Sequence, residues 1–193
     1  MIQYTGFRVE RDDSGGSVAL TLASRENDGR SYYLRNDLDG RFTPADPQRL
    51  ARVSTKLAEL LPPKTDNEIA LGFAEGGLIL AASLAGARGS RFACSTKTQR
   101  NSTGPVIEFV EGHRNDKPAH FVYALQPGAE VVIVEDEIST GDTVLSAYAS
   151  LTAADITVTG IASVAEILNF GGRERIFEGT GLPLSSLITL ELV

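Results

Sequence analysis

Four consecutive apolar residues, Val131, Val132, Ile133 and Val134, run directly into three carboxylates, Glu135, Asp136 and Glu137. Two adjacent carboxylates cannot both leave water without partners, because desolvating unpaired charge is prohibitive. They must meet water, a cation or the hydroxyls of a ligand. Hydroxyls follow at Ser139, Thr140 and Thr143, Gly141 lets the backbone approach closely, and a helix beginning near Asp142 aims its free N–H groups at the same point. A loop of that kind at a helix N-terminus cradles phosphate. Carboxylates for sugar hydroxyls or Mg²⁺, set one turn from a phosphate pocket, describe a receptor for a phosphorylated pentose.

The elements that must position these groups alternate along the chain. Residues 44–62 carry Leu50, Val53, Leu57, Leu60 and Leu61 at helical spacing between prolines, which predicts an amphipathic helix. Buried strands are predicted at 68–73, 91–95, 120–125, 127–135, 156–168 and 184–193, and helices at 76–87, 141–154 and 172–180. Apolar strands alternating with helices imply an α/β fold, a mainly parallel sheet covered on both faces. In such sheets ligands bind beyond the carboxyl ends of the strands, where Glu135 and Asp136 fall. Residues 1–43 read as a β-rich extension, with strand-like SVALTLAS (17–24) and RSYYLRN (30–36) about a RENDG turn, serving as an edge or accessory layer. Residues 44–193 form the core, interrupted at about 96–119 by a polar segment expected to be a flexible lid.

Composition removes several function classes. The 193 residues suit one soluble domain, and no apolar run approaches the roughly 20 residues needed to cross a bilayer. The start resembles no secretory signal, so a cytoplasmic protein is expected. One cysteine, Cys94, excludes an internal disulfide and is expected to be a small buried hydrophobe; two histidines leave no Cys/His metal cage. A net charge of −7 without a dense basic cluster argues against nucleic acid as a partner.

The stretch 131–143 resembles the 5-phosphoribosyl-1-pyrophosphate (PRPP) signature of type I phosphoribosyltransferases: four apolar residues, two acids, then Thr140, Gly141, Asp142 and Thr143. The resemblance implies a Rossmann-like fold with a hood loop, and transfer of a phosphoribosyl group to a nitrogenous base with release of pyrophosphate. By it, Glu135 and Asp136 hold the ribose 2′- and 3′-hydroxyls, with Mg²⁺ met indirectly, and residues 139–143 hold the 5′-phosphate. It places pyrophosphate on the loop Ala74, Glu75, Gly76 and Gly77, often across a non-proline cis peptide, with Glu75 turned away or meeting Mg²⁺ through water. It makes Lys97 and Arg100 of the lid the candidates for contacting departing pyrophosphate. His113 and His120 flank RNDKPA and are equally readable as substrate contacts or as surface residues. Ser139, where purine-salvage members usually carry aspartate, disfavours a hypoxanthine or guanine enzyme. The form EDEISTGDT is most similar to orotate phosphoribosyltransferase-like enzymes found with tellurium-resistance genes. The resemblance further implies a homodimer. A non-catalytic PRPP-sensing regulator is the competing class.

Overall fold

The computed structural model describes residues 4–24, 32–112 and 117–193. A six-stranded sheet runs in the order β1 (Phe7–Asp12), β10 (Leu184–Leu192), β9 (Thr157–Ile167), β8 (Glu130–Ile138), β4 (Glu68–Gly72), β5 (Arg91–Cys94). All neighbours are parallel except β1, which runs antiparallel to β10. The hairpin β2 (Leu20–Ser24) with β3 (Tyr32–Asn36) and the hairpin β6 (Ile107–Val110) with β7 (Ala119–Val122) stand outside this sheet.

The unbroken apolar run of β8 reflects burial on both faces. Val132 and Val134 join one core with Leu50, Val53 and Leu57 of α1 (Pro47–Glu59) and Leu80, Ala81 and Leu84 of α2 (Gly77–Arg88). Val131 and Ile133 point the other way. They meet Val144, Ala147 and Leu151 of α3 (Asp142–Ala153), Ile176 of α4 (Gly172–Thr180), and Ile107 and Phe109 of β6. α1 starts at Pro47, three residues inside the predicted 44–62: Asp46 accepts a hydrogen bond from the Gln48 N–H, and Pro47 occupies the first turn, where its missing N–H costs nothing.

Four details depart from the sequence reading. The first is that β8 continues through the acidic triplet, since β9 accompanies it as far as the pairs Glu135↔Ser163 and Ile138↔Glu166. β4 stops earlier, at Gly72↔Val134, so the triplet overhangs the end of its other neighbour and borders a crevice. A second difference lies in the extension 1–43, which does provide a sheet edge, but through β1 at Phe7–Asp12, a strand not predicted because nearly every residue is exposed and its alternation is masked. Third, the segment 96–119 contains β6, whose Ile107 and Phe109 are buried around an exposed Glu108. Finally, Cys94 is half-buried with a free thiol. The RENDG turn and His113 lie outside the described residues.

Candidate active site

The sheet order reverses between β4 and β8: from β4 the chain proceeds outward to β5, whereas β8 leads the other way to β9 and β10. A crevice must open at such a reversal, beyond the carboxyl ends of the strands. A cleft of about 260 Å³ lies there, lined by Ala74, Glu75 and Gly76 after β4, by Glu135 through Val144 at and after β8, and by Lys97, Glu111, His120, Tyr33, Leu34 and Arg41.

The Ala74–Glu75 peptide after β4 is cis. Gly76 caps α2, and a Cβ there would fall 2.1 Å from Asp136 Oδ2, so only glycine lets this backbone lie against the acid. The Gly77 N–H donates to Phe73 O, whereas those of Glu75 and Gly76 have no hydrogen-bond acceptor among the described residues. The side chain of Glu75 is solvent-exposed, consistent with one turned away from an anion.

The second loop ends at Gly141, whose φ of +76° only glycine adopts without strain. That turn directs the start of α3 at the cleft, and the Thr140 and Gly141 N–H groups find no acceptor among the described residues. Arg175 of α4 braces the loop, donating to Thr140 O at 3.0 Å and pairing with Asp142. Thr143 Oγ1 accepts from the Gly112 N–H at 3.2 Å, docking the β6–β7 hairpin onto α3 as a wall of the cleft.

The acidic doublet is asymmetric. Glu135 Oε1 is shielded from solvent and has no hydrogen-bond partner among the described residues. Burial pushes its carboxyl well above the usual carboxylate range; Asp136 and Glu111 push the same way, against the pull of Lys97. Asp136 Oδ2 instead lies 2.7 Å from Arg41 Nη2. Burial raises the Asp136 carboxyl too, and the Arg41 guanidinium restrains that rise. Arg41 also binds Asp39 at 2.5 Å. Glu137 accepts from the Tyr32 hydroxyl at 3.0 Å, which closes the β2–β3 hairpin over the end of β8.

Of the residues singled out in the sequence, the structure therefore gathers Ala74, Glu75, Gly76, Glu135, Asp136, Ser139, Thr140, Gly141, Asp142, Thr143 and Lys97 around one cleft. Gly77 is buried just behind it. Arg100 is exposed and does not line the cleft; its backbone N–H donates to the Tyr123 hydroxyl at 2.6 Å. Arg41, Glu111 and Tyr33 escaped sequence reasoning, and no local pattern marks them.

No three His, Cys, Asp or Glu side chains gather to hold a metal among the described residues. The shielded Glu135 oxygen still suits a hydroxyl or a cation's bound water. A metal ion here would thus be held largely by a ligand's own phosphates, as suits Mg²⁺.

Residues 19–184 match the family described as phosphoribosyl transferase. An adenine phosphoribosyltransferase of Synechococcus sp. is 30% identical over 147 residues, 76% of this chain and 84% of the relative. The fold is shared with adenine phosphoribosyltransferase from Rhodothermus marinus, with a TM-score of 0.69 at 19% identity over 89% of this chain and 94% of that one. It is shared also with the Trypanosoma brucei enzyme, solved in complex with AMP, pyrophosphate and ribose-5-phosphate, with a TM-score of 0.68 at 16% identity over 89% of this chain and 76% of that one. The match over most of its length, together with this relative, makes the chain a member of the phosphoribosyl transferase family.

Proposed function

We propose that the protein transfers the 5-phosphoribosyl group of PRPP to a nitrogenous base, with adenine or a close purine relative as the first acceptor to test. The observation that carries this reading is Glu135: a shielded carboxylate oxygen that has no partner among the described residues, between two loops in which the N–H groups of Glu75, Gly76, Thr140 and Gly141 likewise have no acceptor among them. A vicinal diol can donate to Glu135 and, once Arg41 yields, to Asp136. The 5′-phosphate takes the amides of Thr140 and Gly141 with the hydroxyls of residues 139–143, and pyrophosphate takes the amides of Glu75 and Gly76.

In the reaction the bond from the anomeric carbon to pyrophosphate oxygen breaks, its electron pair leaving with pyrophosphate. A ring nitrogen lone pair forms the new bond to that carbon, and the nitrogen's proton passes to solvent. Lys97, in the cleft wall, is placed to stabilise the charge that grows on the leaving group. Mg²⁺, bound with PRPP, would supply further neutralisation of that charge.

Adenine is favoured as first acceptor by the names of the relatives. The likeness to orotate-like enzymes of tellurium-resistance operons rests on EDEISTGDT and a loose similarity through residues 108–120, and makes orotate the second acceptor to try. A homodimer and a cytoplasmic location belong to the same proposal; among the described residues no helix is long and apolar enough to cross a membrane.

The test is pyrophosphate release from PRPP with Mg²⁺ and a panel of bases. Base-dependent release with formation of the nucleotide is the expected result. Saturable PRPP binding without release from any base would instead establish the sensing module, and absence of PRPP binding would end both readings.

A further inference from the structure

We infer that His120 and Ser95 are positioning residues that join the pyrophosphate loop to the lid lysine; the inference rests on the reading of the cleft given above. Ser95 follows β5 and is 1% exposed. Its N–H donates to Gly72 O at 3.0 Å, tying it to the end of β4. Its Oγ accepts from the Ala74 N–H at 2.9 Å, pinning the residue that opens the loop. The same Oγ lies 2.8 Å from His120 Nδ1.

The hydroxyl that accepts from Ala74 has its own proton to give, and Nδ1 of a neutral imidazole receives it. The ring proton then sits on Nε2, which faces Glu111 Oε2 at 3.5 Å, longer than a hydrogen bond but close enough for the N–H dipole to meet the carboxylate. Glu111 Oε2 is also 3.0 Å from Lys97 Nζ. One path of polar contacts thus runs from the Ala74 amide through Ser95, His120 and Glu111 to Lys97.

Rigid walls hold the imidazole in that path. Phe109 stacks on it with centroids 5.0 Å apart and planes within 15°, and Phe73, the residue before Ala74, leans on Phe109 at 4.6 Å. Thr96 and Phe121 exchange two backbone hydrogen bonds at 2.9 Å, fastening the start of the lid beside His120. A histidine buried only for packing would need one partner and no view of the cleft. His120 lines the cleft and stands between the two groups expected to meet pyrophosphate.

Two substitutions separate the ends of the path. Asparagine reproduces the Nδ1 position of histidine and glutamine the Nε2 position. His120→Asn therefore keeps Ser95 engaged and loses Glu111, so kcat should fall with KM for PRPP near the parent value. His120→Gln reverses this, and Ser95→Ala removes the Ala74 anchor outright. Both should raise KM for PRPP and the Kd for pyrophosphate by about fivefold, the worth of one net hydrogen bond, with kcat less affected.

The experiment combines steady-state kinetics with calorimetric titration of pyrophosphate and Mg²⁺ into the full-length protein, checking each variant's fold by circular dichroism. The split between Asn and Gln supports the inference. Pyrophosphate binding equal in parent and Ser95→Ala, or kcat and KM moving together in both His120 variants, overturns the positioning role alone. A parent that binds neither PRPP nor pyrophosphate overturns the reading of the cleft, and the positioning role with it.

Discussion

At the amino end of β4, Glu68 receives hydrogen bonds from Arg88 Nε at 2.7 Å and Nη2 at 2.6 Å, both side chains almost wholly buried. Arg88 gives two further donors to Ala58 O and Pro62 O, knitting α2 to the end of α1. At the carboxyl end of neighbouring β8, Glu135 is half-buried, and its shielded Oε1 has no partner among the described residues. Glu166 on β9, 2% exposed, behaves like Glu68: Arg173 and Ser186 satisfy it. Acids that hold this fold together are answered within the chain, whereas the acid at the cleft keeps an oxygen with no partner among the described residues, as the proposed ligand contact requires. The difference follows from energetics. A charge shielded from water without full compensation destabilises a protein, so its persistence beside the amides of Glu75, Gly76, Thr140 and Gly141 fits the proposed binding role.

Substitutions at the two ends should therefore differ in sign as well as size. Arg88→Met strands Glu68 and should destabilise the protein by about 3 kcal/mol or more in denaturant unfolding, with turnover per folded molecule kept. Glu135→Gln should weaken PRPP binding by about 1 to 3 kcal/mol in calorimetry while raising the thermal midpoint, because it removes an unanswered charge. That gain should depend on pH. The Glu135 pKa is raised in the folded protein, so the protonated form's contribution to stability is fully present below the ordinary glutamate value of about 4.3 and is lost as pH rises through the folded value. The stability difference between Glu135→Gln and the parent should thus be near zero in acid and grow across that window; a constant difference would remove the buried ionisation from the explanation.

Asp136→Asn should behave unlike its neighbour. Burial raises its carboxyl too, but the pair with Arg41 offsets part of that cost, so any gain in thermal stability should be smaller than for Glu135→Gln, alongside weaker PRPP binding. A rise as large as that of Glu135→Gln would erase the asymmetry of the doublet. Lys97→Ala should have the smallest effect, confined to turnover and at least about fivefold, with PRPP affinity nearly kept. Equal turnover would make Lys97 an ordinary lid residue.

Much of this architecture is legible in the sequence where the signal is local. The run of residues 131–134 requires a strand covered on both faces, Pro47 and the spacing of Leu50, Val53 and Leu57 require α1, and Gly141 among hydroxyls requires a turn into a helix. β6 carries a readable alternation too, in Ile107, Glu108 and Phe109, but its polar surroundings hide it. What stays illegible is long-range. Arg41 meets Asp136 across 95 positions, and Glu111, His120 and Ser95 converge from three segments. Nothing in the spacing of such residues records the meeting, because tertiary packing rather than chain periodicity creates it.

The most direct test pairs a change in ligand with a change in protein, which isolates one contact. Ribose 5-phosphate and 2-deoxyribose 5-phosphate are titrated into the parent, Glu135→Gln and Asp136→Asn. The parent should prefer the ribose form; that preference should shrink in the variant that loses the 2′-hydroxyl contact, whereas the variant that loses the 3′ contact should bind both ligands more weakly. An identical preference in all three would contradict contact between the β8 carboxylates and the sugar, and with it the central role given to this cleft.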